Sequence, residues 1–147
     1  MNASPTLLKW SSFLFAAFIL ALVVAADVGV LPDWIIRQTN ASRYVDKLAH
    51  FFIMGGMSFL LCLTLAWDRP ETLFRHLALG CGTVITATTL EECSQLLFPL
   101  RTFSWKDLVW SYAGIFCFAL MAGVITGIWS RIRRRCQNPE IRCQRNL

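Results

Sequence analysis

The sequence predicts an all-α membrane protein, a four-helix transmembrane bundle whose N- and C-termini both lie in the cytoplasm. The 147 residues are 56% hydrophobic and 16% charged, and the mean hydropathy is +0.52. Soluble domains are about 45–50% apolar and about 25% charged. Four apolar blocks of about 20 residues each match the roughly 30 Å hydrocarbon core of a bilayer. Backbone groups in lipid must be satisfied within the segment, so these blocks are expected to be helices.

The apolar blocks cover residues 11–31, 48–67, 77–98 and 108–129, within a predicted membrane domain of residues 11–130. Residues 1–10 then form a cytoplasmic N-terminus, and residues 131–147 a basic cytoplasmic tail. The first block also resembles a secretory signal with a cleavage site before Asp27. Because the chain stays apolar through Leu31, we favour a retained helix. Ser104 and Asp107 have capping-box spacing and are expected to open the fourth helix.

The distribution of lysine and arginine predicts the orientation. With the N-terminus inside, the inner segments hold nine of these residues and the outer segments five, as the positive-inside rule requires. Six of the nine inner residues are arginines of the tail that follows the fourth block. A basic segment directly after an apolar span is typical of a cytoplasmic anchor that meets anionic lipid. We therefore expect membrane lipids as partners, and no nucleic acid.

The cysteines and small residues predict packing rather than chemistry. Four of the six cysteines lie inside apolar blocks, and the two in the tail have no zinc-type spacing. No disulfide framework, metal ligand set or cofactor is expected beyond a speculative pairing of His50 with Glu91 or Glu92. Ala119, Gly123 and Gly127 recur every four residues and share a face that allows close helix approach. Packing within the monomer is the favoured interpretation, and a homo-oligomer through this face is the alternative.

Polar and ionisable residues gather, in this topology, at the outer ends of the second, third and fourth helices. They are Asp46, Lys47, His50, Glu91, Glu92, Gln95, Arg101, Lys106 and Asp107. Side chains four residues apart share a helix face, which pairs Asp46 with His50. Glu91 and Glu92 point about 100° apart on a helix, so one of them is expected to face the centre of the site.

A carboxylate two turns below the end of an apolar block is costly unless it is paired. Arg101, Lys47 and His50 are the partners that the sequence offers to Glu91 and Glu92. We therefore expect a charged pocket that faces the outer surface.

Three motifs in this order resemble the VanZ-like membrane family over about residues 44–123. They are D-K-x-x-H-F from Asp46 to Phe51, E-E-x-x-Q from Glu91 to Gln95, and R-x-F-S-x-x-D from Arg101 to Asp107. The N-x-x-G element usual in the family begins here with Ser111 and ends with Gly114, and Phe118 stands where a second small residue is usual. The resemblance implies a multi-pass protein of the bacterial inner membrane, related to the cell envelope or to resistance against glycopeptides such as teicoplanin. It implies no particular reaction.

One functional hypothesis is a pocket for an anionic envelope lipid or a cell-wall intermediate. His50, Glu92 and Asp46 are then the candidate acid/base residues, since an imidazole titrates near neutral pH and a carboxylate can orient it. The candidate ligand-binding residues share polar or charged side chains at the same membrane depth. They are Lys47, Glu91, Gln95, Arg101, Ser104, Asp107 and Ser111.

The alternative hypothesis is non-enzymatic: the same residues form interhelical ion pairs in an accessory or structural subunit. Proton-coupled transport is less favoured, because the first block contributes only Asp27 and the second only His50 within the spans, and no broken central helix is visible. A CAAX-type intramembrane protease is disfavoured as well, since Gln95 and Leu96 follow the paired glutamates where that family needs EExxxR.

Overall fold

The computed structural model describes residues 5–28, 30, 43–67, 72–97 and 103–137, and these form four α-helices. The helices are α1 (Pro5–Val28), α2 (Arg43–Ala66), α3 (Leu73–Ser94) and α4 (Trp105–Gln137). A 3₁₀ turn, Gln95–Leu97, follows α3 directly. The described residues contain no strand. The prediction of an all-α fold is therefore confirmed, with one helix for each apolar block.

The helices extend beyond the apolar blocks on which they were predicted. α2 begins at Arg43 rather than near residue 48, so Asp46 and Lys47 lie within its first turns. α4 has 33 residues and continues through the arginines as far as Gln137. At 1.5 Å per residue it is about 50 Å long, well beyond a hydrocarbon core of roughly 30 Å. The first arginines of the predicted cytoplasmic tail, as far as Arg135, are thus helical.

α2 is the central helix of the bundle. It packs against α1, α3 and α4, and α3 also packs against α4. α1 is attached through a pair of hydroxyls: Ser12 Oγ lies 2.7 Å from Thr64 Oγ1, and it also lies 3.2 Å from the Leu60 carbonyl oxygen. The polar contacts of α1 are therefore few compared with the polar contacts of the other three helices.

α2 and α4 approach each other most closely at Gly114. A Cβ atom at this position would overlap the carbonyl oxygen of Phe51. At the next residue of α4, the Ile115 carbonyl oxygen accepts a hydrogen bond from Ser58 Oγ at 3.2 Å. Small residues allow such contact between helix backbones, which replaces the hydrophobic effect as the source of attraction in lipid.

The apolar core lies toward the C-terminal end of α2, where Cys62, Leu63, Ala119 and Ala122 pack together. A Cβ on Gly80 would lie 2.6 Å from Cys62 Sγ, so α3 also depends on a glycine for its close approach. At the same end, the Trp67 and Trp129 rings stack with centroids 5.7 Å apart.

The small-residue face of α4 contributes to packing within the chain. Ala119 is 5% exposed and belongs to the apolar core, and a Cβ on Gly123 would lie 2.9 Å from Leu77 Cδ1. Gly127 has no described neighbour within 4 Å of such an atom. A homo-oligomer through this face remains a prediction.

Three of the helices are long and apolar enough to cross a membrane, namely α1 over Thr6–Ala25, α2 over Tyr44–Ala66 and α4 over Trp105–Arg135. Many large apolar side chains are exposed, among them Phe74 at 86% and Leu97 at 82%. Water would disfavour so much exposed apolar surface, whereas lipid would cover it. These features indicate a membrane protein. α3, which carries charged residues near both ends, is not among the three apolar helices.

Candidate functional site

Polar side chains from three distant parts of the sequence meet at one end of the bundle. The N-terminal turns of α2, the C-terminal turns of α3 and the N-terminal turns of α4 contribute to this cluster, which we call the polar layer. Its described members are Asp46, Lys47, His50, Glu91, Glu92, Gln95, Ser104, Asp107 and Ser111. Three contacts connect the helices: Lys47 with Asp107, His50 with Ser111, and Glu92 with Ser104.

Glu92 is the most deeply buried carboxylate of the polar layer, with 2% of its surface exposed. Its Oε1 atom accepts a hydrogen bond from the backbone N–H of Ser104 at 2.7 Å. Ser104 immediately precedes α4, so this N–H is one of the donors that a helix N-terminus leaves free. The positive end of the α4 dipole also favours a carboxylate here. Glu92 therefore ties the end of α3 to the start of α4.

The contact of Glu92 corrects the capping-box prediction for Ser104 and Asp107. In a capping box, the side chain three residues into the helix accepts a hydrogen bond from the N-cap N–H. Here Glu92 of another helix accepts that bond, and the Asp107 carboxylate contacts Lys47 instead. The backbone N–H of Asp107 donates to the Ser104 carbonyl oxygen at 3.0 Å. The predicted residues do open α4, but the reciprocal side-chain bond is replaced by an interhelical one.

Gln95 joins the two glutamates. Its Nε2 atom donates to Glu91 Oε1 at 2.8 Å and to Glu92 Oε2 at 3.3 Å. Gln95 is 4% exposed and lies in the 3₁₀ turn that ends α3. The spacings of four and three residues that the sequence shows place this amide within reach of both carboxylates.

Lys47 and Asp107 form the ion pair of the polar layer. The distance from Lys47 Nζ to Asp107 Oδ1 is 3.3 Å, and the two side chains are 19% and 13% exposed. Lys47 was predicted to pair with Glu91 or Glu92, whereas in the structure it contacts Asp107 of α4. Partial burial makes such a pair stronger than a fully exposed surface pair, for which screening by water is nearly complete.

His50 contacts α4 through Ser111. The Nδ1 atom of His50 lies 3.3 Å from Ser111 Oγ, and Ser111 is fully buried. Asp46 lies one turn before His50 on α2. One potential metal-ligand atom from each of Asp46, His50 and Asp107 lies within 4.8 Å of the others. The predicted proximity of Asp46 and His50 is thus found, and Asp107 joins them in place of Glu91 or Glu92, the metal-binding partners considered for His50 from the sequence.

Lys106 and Arg101 are two further basic residues of the predicted site. Lys106 is exposed, and its Nζ atom lies 5.8 Å from the centroid of the Trp105 ring. Arg101 lies outside the described residues. Four carboxylates and one lysine ammonium therefore make up the charged groups of the described layer. Its formal charge is negative.

The sequence analysis missed a second contact between α3 and α4, one turn deeper than Glu92. Thr89 Oγ1 lies 2.7 Å from the Tyr112 hydroxyl, and Thr89 also donates to the Ile85 carbonyl oxygen at 2.6 Å. Neither side chain is charged at neutral pH, so neither residue stands out within an apolar block of the sequence. Only the position of Thr89 one turn before Glu92, and of Tyr112 directly after Ser111, could have suggested this contact.

The polar layer holds carboxylates and a lysine ammonium at one depth in the bundle. It can present carboxylate and imidazole side chains to a ligand.

No family model matches the chain, no curated protein is similar to it, and no solved structure matches it. The resemblance of its motifs to the VanZ-like family therefore stays a prediction, and function must be argued from the site.

Proposed function

We propose that this chain is a VanZ-like protein of the bacterial inner membrane that crosses the bilayer four times with both termini inside. The apolar composition of α1, α2 and α4 supports three of the crossings. α3 has 22 residues, about 33 Å at 1.5 Å per residue, which is long enough for a fourth. Its charged residues lie near its two ends, where they can meet the headgroup regions. The arginines at the end of α4 support the inward orientation.

We further propose that the polar layer faces the outer leaflet and binds the headgroup of an anionic envelope lipid or a cell-wall intermediate. The observation that carries this proposal is the assembly of polar side chains from three helices at one end of an otherwise apolar bundle. Burial of such groups in a membrane protein is costly, and they commonly mark a functional site. Glycopeptide resistance is the cellular role that the resemblance suggests.

The basic and acidic residues of this site are expected to bind different groups of the ligand. Lys106, which is exposed, and Arg101 would meet a phosphate or carboxylate first, since arginine binds such groups in a bidentate manner. Lys47 adds a third positive charge. The carboxylates would accept hydrogen bonds from hydroxyl or amine groups of the same headgroup. His50 is the acid/base candidate for any reaction, with Asp46 or Glu92 to orient it.

Mass spectrometry of lipids that co-purify with the full chain in mild detergent tests this proposal. We expect an anionic lipid to be enriched with the wild-type protein and to be lost from the Arg101→Ala and Lys106→Ala variants. Arg133→Ala is the matched control, because Arg133 is an exposed basic residue at the opposite end of the bundle. Equal lipid content in all four proteins would contradict the proposal.

A second candidate function is favoured by one specific observation. Several groups of the polar layer contact each other: Lys47 contacts Asp107, and Glu92 contacts Ser104 and Gln95. Such contacts suit an accessory or structural subunit in which they fix the register of the helices. If Glu92→Gln and Lys47→Met lower stability in detergent while lipid content stays unchanged across all variants, this second function is the correct one.

A further inference from the structure

The most compact set of potential metal ligands among the described residues lies at the interface of α2 and α4. One ligand atom from each of Asp46, His50 and Asp107 lies within 4.8 Å of the other two. Asp46 and His50 are one turn apart on α2, and Asp107 lies in the first turn of α4. All three side chains are partly buried. We propose that these residues form a binding site for a divalent transition-metal cation.

The donor set points to the kind of cation. It combines one imidazole nitrogen with two carboxylates, a mixture that suits Zn²⁺, Mn²⁺, Fe²⁺ or Co²⁺. Ca²⁺ and Mg²⁺ prefer sites made of oxygen atoms alone. Three protein ligands leave at least one coordination position open. That position can accept water or an oxygen atom of a bound headgroup.

A neighbour of His50 supports this assignment. Ser111 Oγ lies 3.3 Å from Nδ1 of His50, and this contact occupies one ring nitrogen and leaves the other available. Histidines that bind metals commonly hold a hydrogen bond at the second nitrogen, which fixes the tautomer and the orientation of the ring. Ser111 is fully buried, so its hydroxyl is held in place by the packing of α2 against α4.

The charge balance of the site also favours a cation. Two aspartate carboxylates, those of Asp46 and Asp107, lie in this cluster, and Lys47 Nζ lies 3.3 Å from Asp107 Oδ1 as their basic neighbour. A divalent cation would neutralise the excess negative charge. It would also compete with the Lys47 ammonium for the Asp107 carboxylate. Removal of the Lys47 charge should therefore strengthen cation binding.

Titration of the full chain with Co²⁺, in detergent and after treatment with a chelator, tests the proposal. We expect saturable binding of about one Co²⁺ per chain, followed through the visible absorption of the coordinated ion. His50→Ala and Asp107→Asn should each weaken binding by at least about tenfold. Lys47→Met should bind Co²⁺ more tightly than the wild type. The experiment uses no added lipid, so its result does not depend on the proposed headgroup ligand.

Two control variants separate this site from other metal-binding groups. His76→Ala removes the other histidine, which lies at the opposite end of α3 and contacts Thr72, and it should leave Co²⁺ binding unchanged. Replacement of Cys136 and Cys143 by serine removes the thiols of the tail and should also have no effect. Asp46→Asn serves as a further variant if His50→Ala does not fold, and is expected to weaken binding in the same way.

Three results would overturn the proposal. The first is a wild-type protein without saturable Co²⁺ binding. The second is binding that His50→Ala, Asp46→Asn and Asp107→Asn all leave unchanged. The third is binding that disappears with the tail cysteines or with His76, since the ion would then lie elsewhere.

Discussion

The two ends of the bundle hold the same three helices together in different ways. At the polar layer, α2, α3 and α4 are joined by hydrogen bonds and an ion pair, with Glu92 buried between helices. At the opposite end, Cys62, Ala119 and Ala122 pack without charged partners, and Gly80 allows close approach of α3. The comparison predicts that close packing at glycine and polar contacts between helix ends both contribute to stability, with the larger contribution from packing.

The largest loss of stability is expected from a substitution at Gly114, where α2 and α4 approach each other most closely. Gly114→Ala places a Cβ against the Phe51 carbonyl oxygen, which forces the helices apart and should cost about 3 kcal/mol. Gly82→Ala is the matched control, because a Cβ at Gly82 meets no described atom within 4 Å. Unfolding by SDS in mixed micelles measures both. Equal stability of the two variants would show that this contact is not required.

The next largest effect is expected at Glu92. Glu92→Leu leaves the Ser104 N–H and the Gln95 amide without this acceptor, and should cost about 2 kcal/mol in the same assay. Glu92→Gln keeps an amide oxygen that can accept from Ser104, so its loss should be about half as large. If the leucine variant is as stable as the wild type, the carboxylate does not connect α3 to α4 as described.

A smaller loss of stability is expected when the ion pair of the polar layer is removed. Lys47→Met keeps the length of the side chain and removes the charge that Asp107 contacts at 3.3 Å, which should cost about 1 kcal/mol in the presence of a chelator. Lys106→Met is the control, because Lys106 is exposed and has Trp105 as its aromatic neighbour. Equal losses in both variants would argue against a specific role for the pair.

The smallest effect is expected where α1 meets α2. Ser12→Ala removes the 2.7 Å contact with Thr64, and hydrogen bonds between membrane helices contribute about 0.6 kcal/mol on average. Ser11→Ala is the matched control, since the Ser11 hydroxyl donates to the Leu8 carbonyl oxygen within α1. A loss for Ser12→Ala as large as that for Glu92→Leu would mean that α1 is as firmly held as the other helices.

Hydropathy predicted the number and order of the helices, because lipid requires long apolar segments with internally bonded backbones. The bounds were less predictable: α2 begins at Arg43, ahead of its apolar block, and α4 continues through the tail arginines to Gln137. Helical spacing placed Gln95 near both glutamates. It could not predict that the Ser104 N–H donates to Glu92 or that Lys47 contacts Asp107. Contacts between helices depend on how each helix is rotated about its axis and on its depth in the bundle.

Spacing predicted that Ala119, Gly123 and Gly127 share one face of α4, for packing within the monomer or, as the alternative, in a homo-oligomer. In the structure, Ala119 packs in the apolar core and a Cβ on Gly123 would lie 2.9 Å from Leu77 Cδ1, whereas a Cβ on Gly127 would meet no described atom within 4 Å. Spacing gives the face of a helix but not the neighbour at each level. Spacing likewise placed Asp46 beside His50, but it could not predict that Asp107 of α4 lies close to both.

The central claim, that three helix ends meet near the outer surface, is tested most directly by labelling of single cysteines in a cysteine-free background. A membrane-impermeant maleimide added to intact cells should label Tyr44→Cys, Leu97→Cys and Trp105→Cys, which stand at the polar end. Phe74→Cys and Arg133→Cys should react only after the membrane is permeabilised. Labelling of Leu97→Cys and Tyr44→Cys from opposite sides of the membrane would contradict the account.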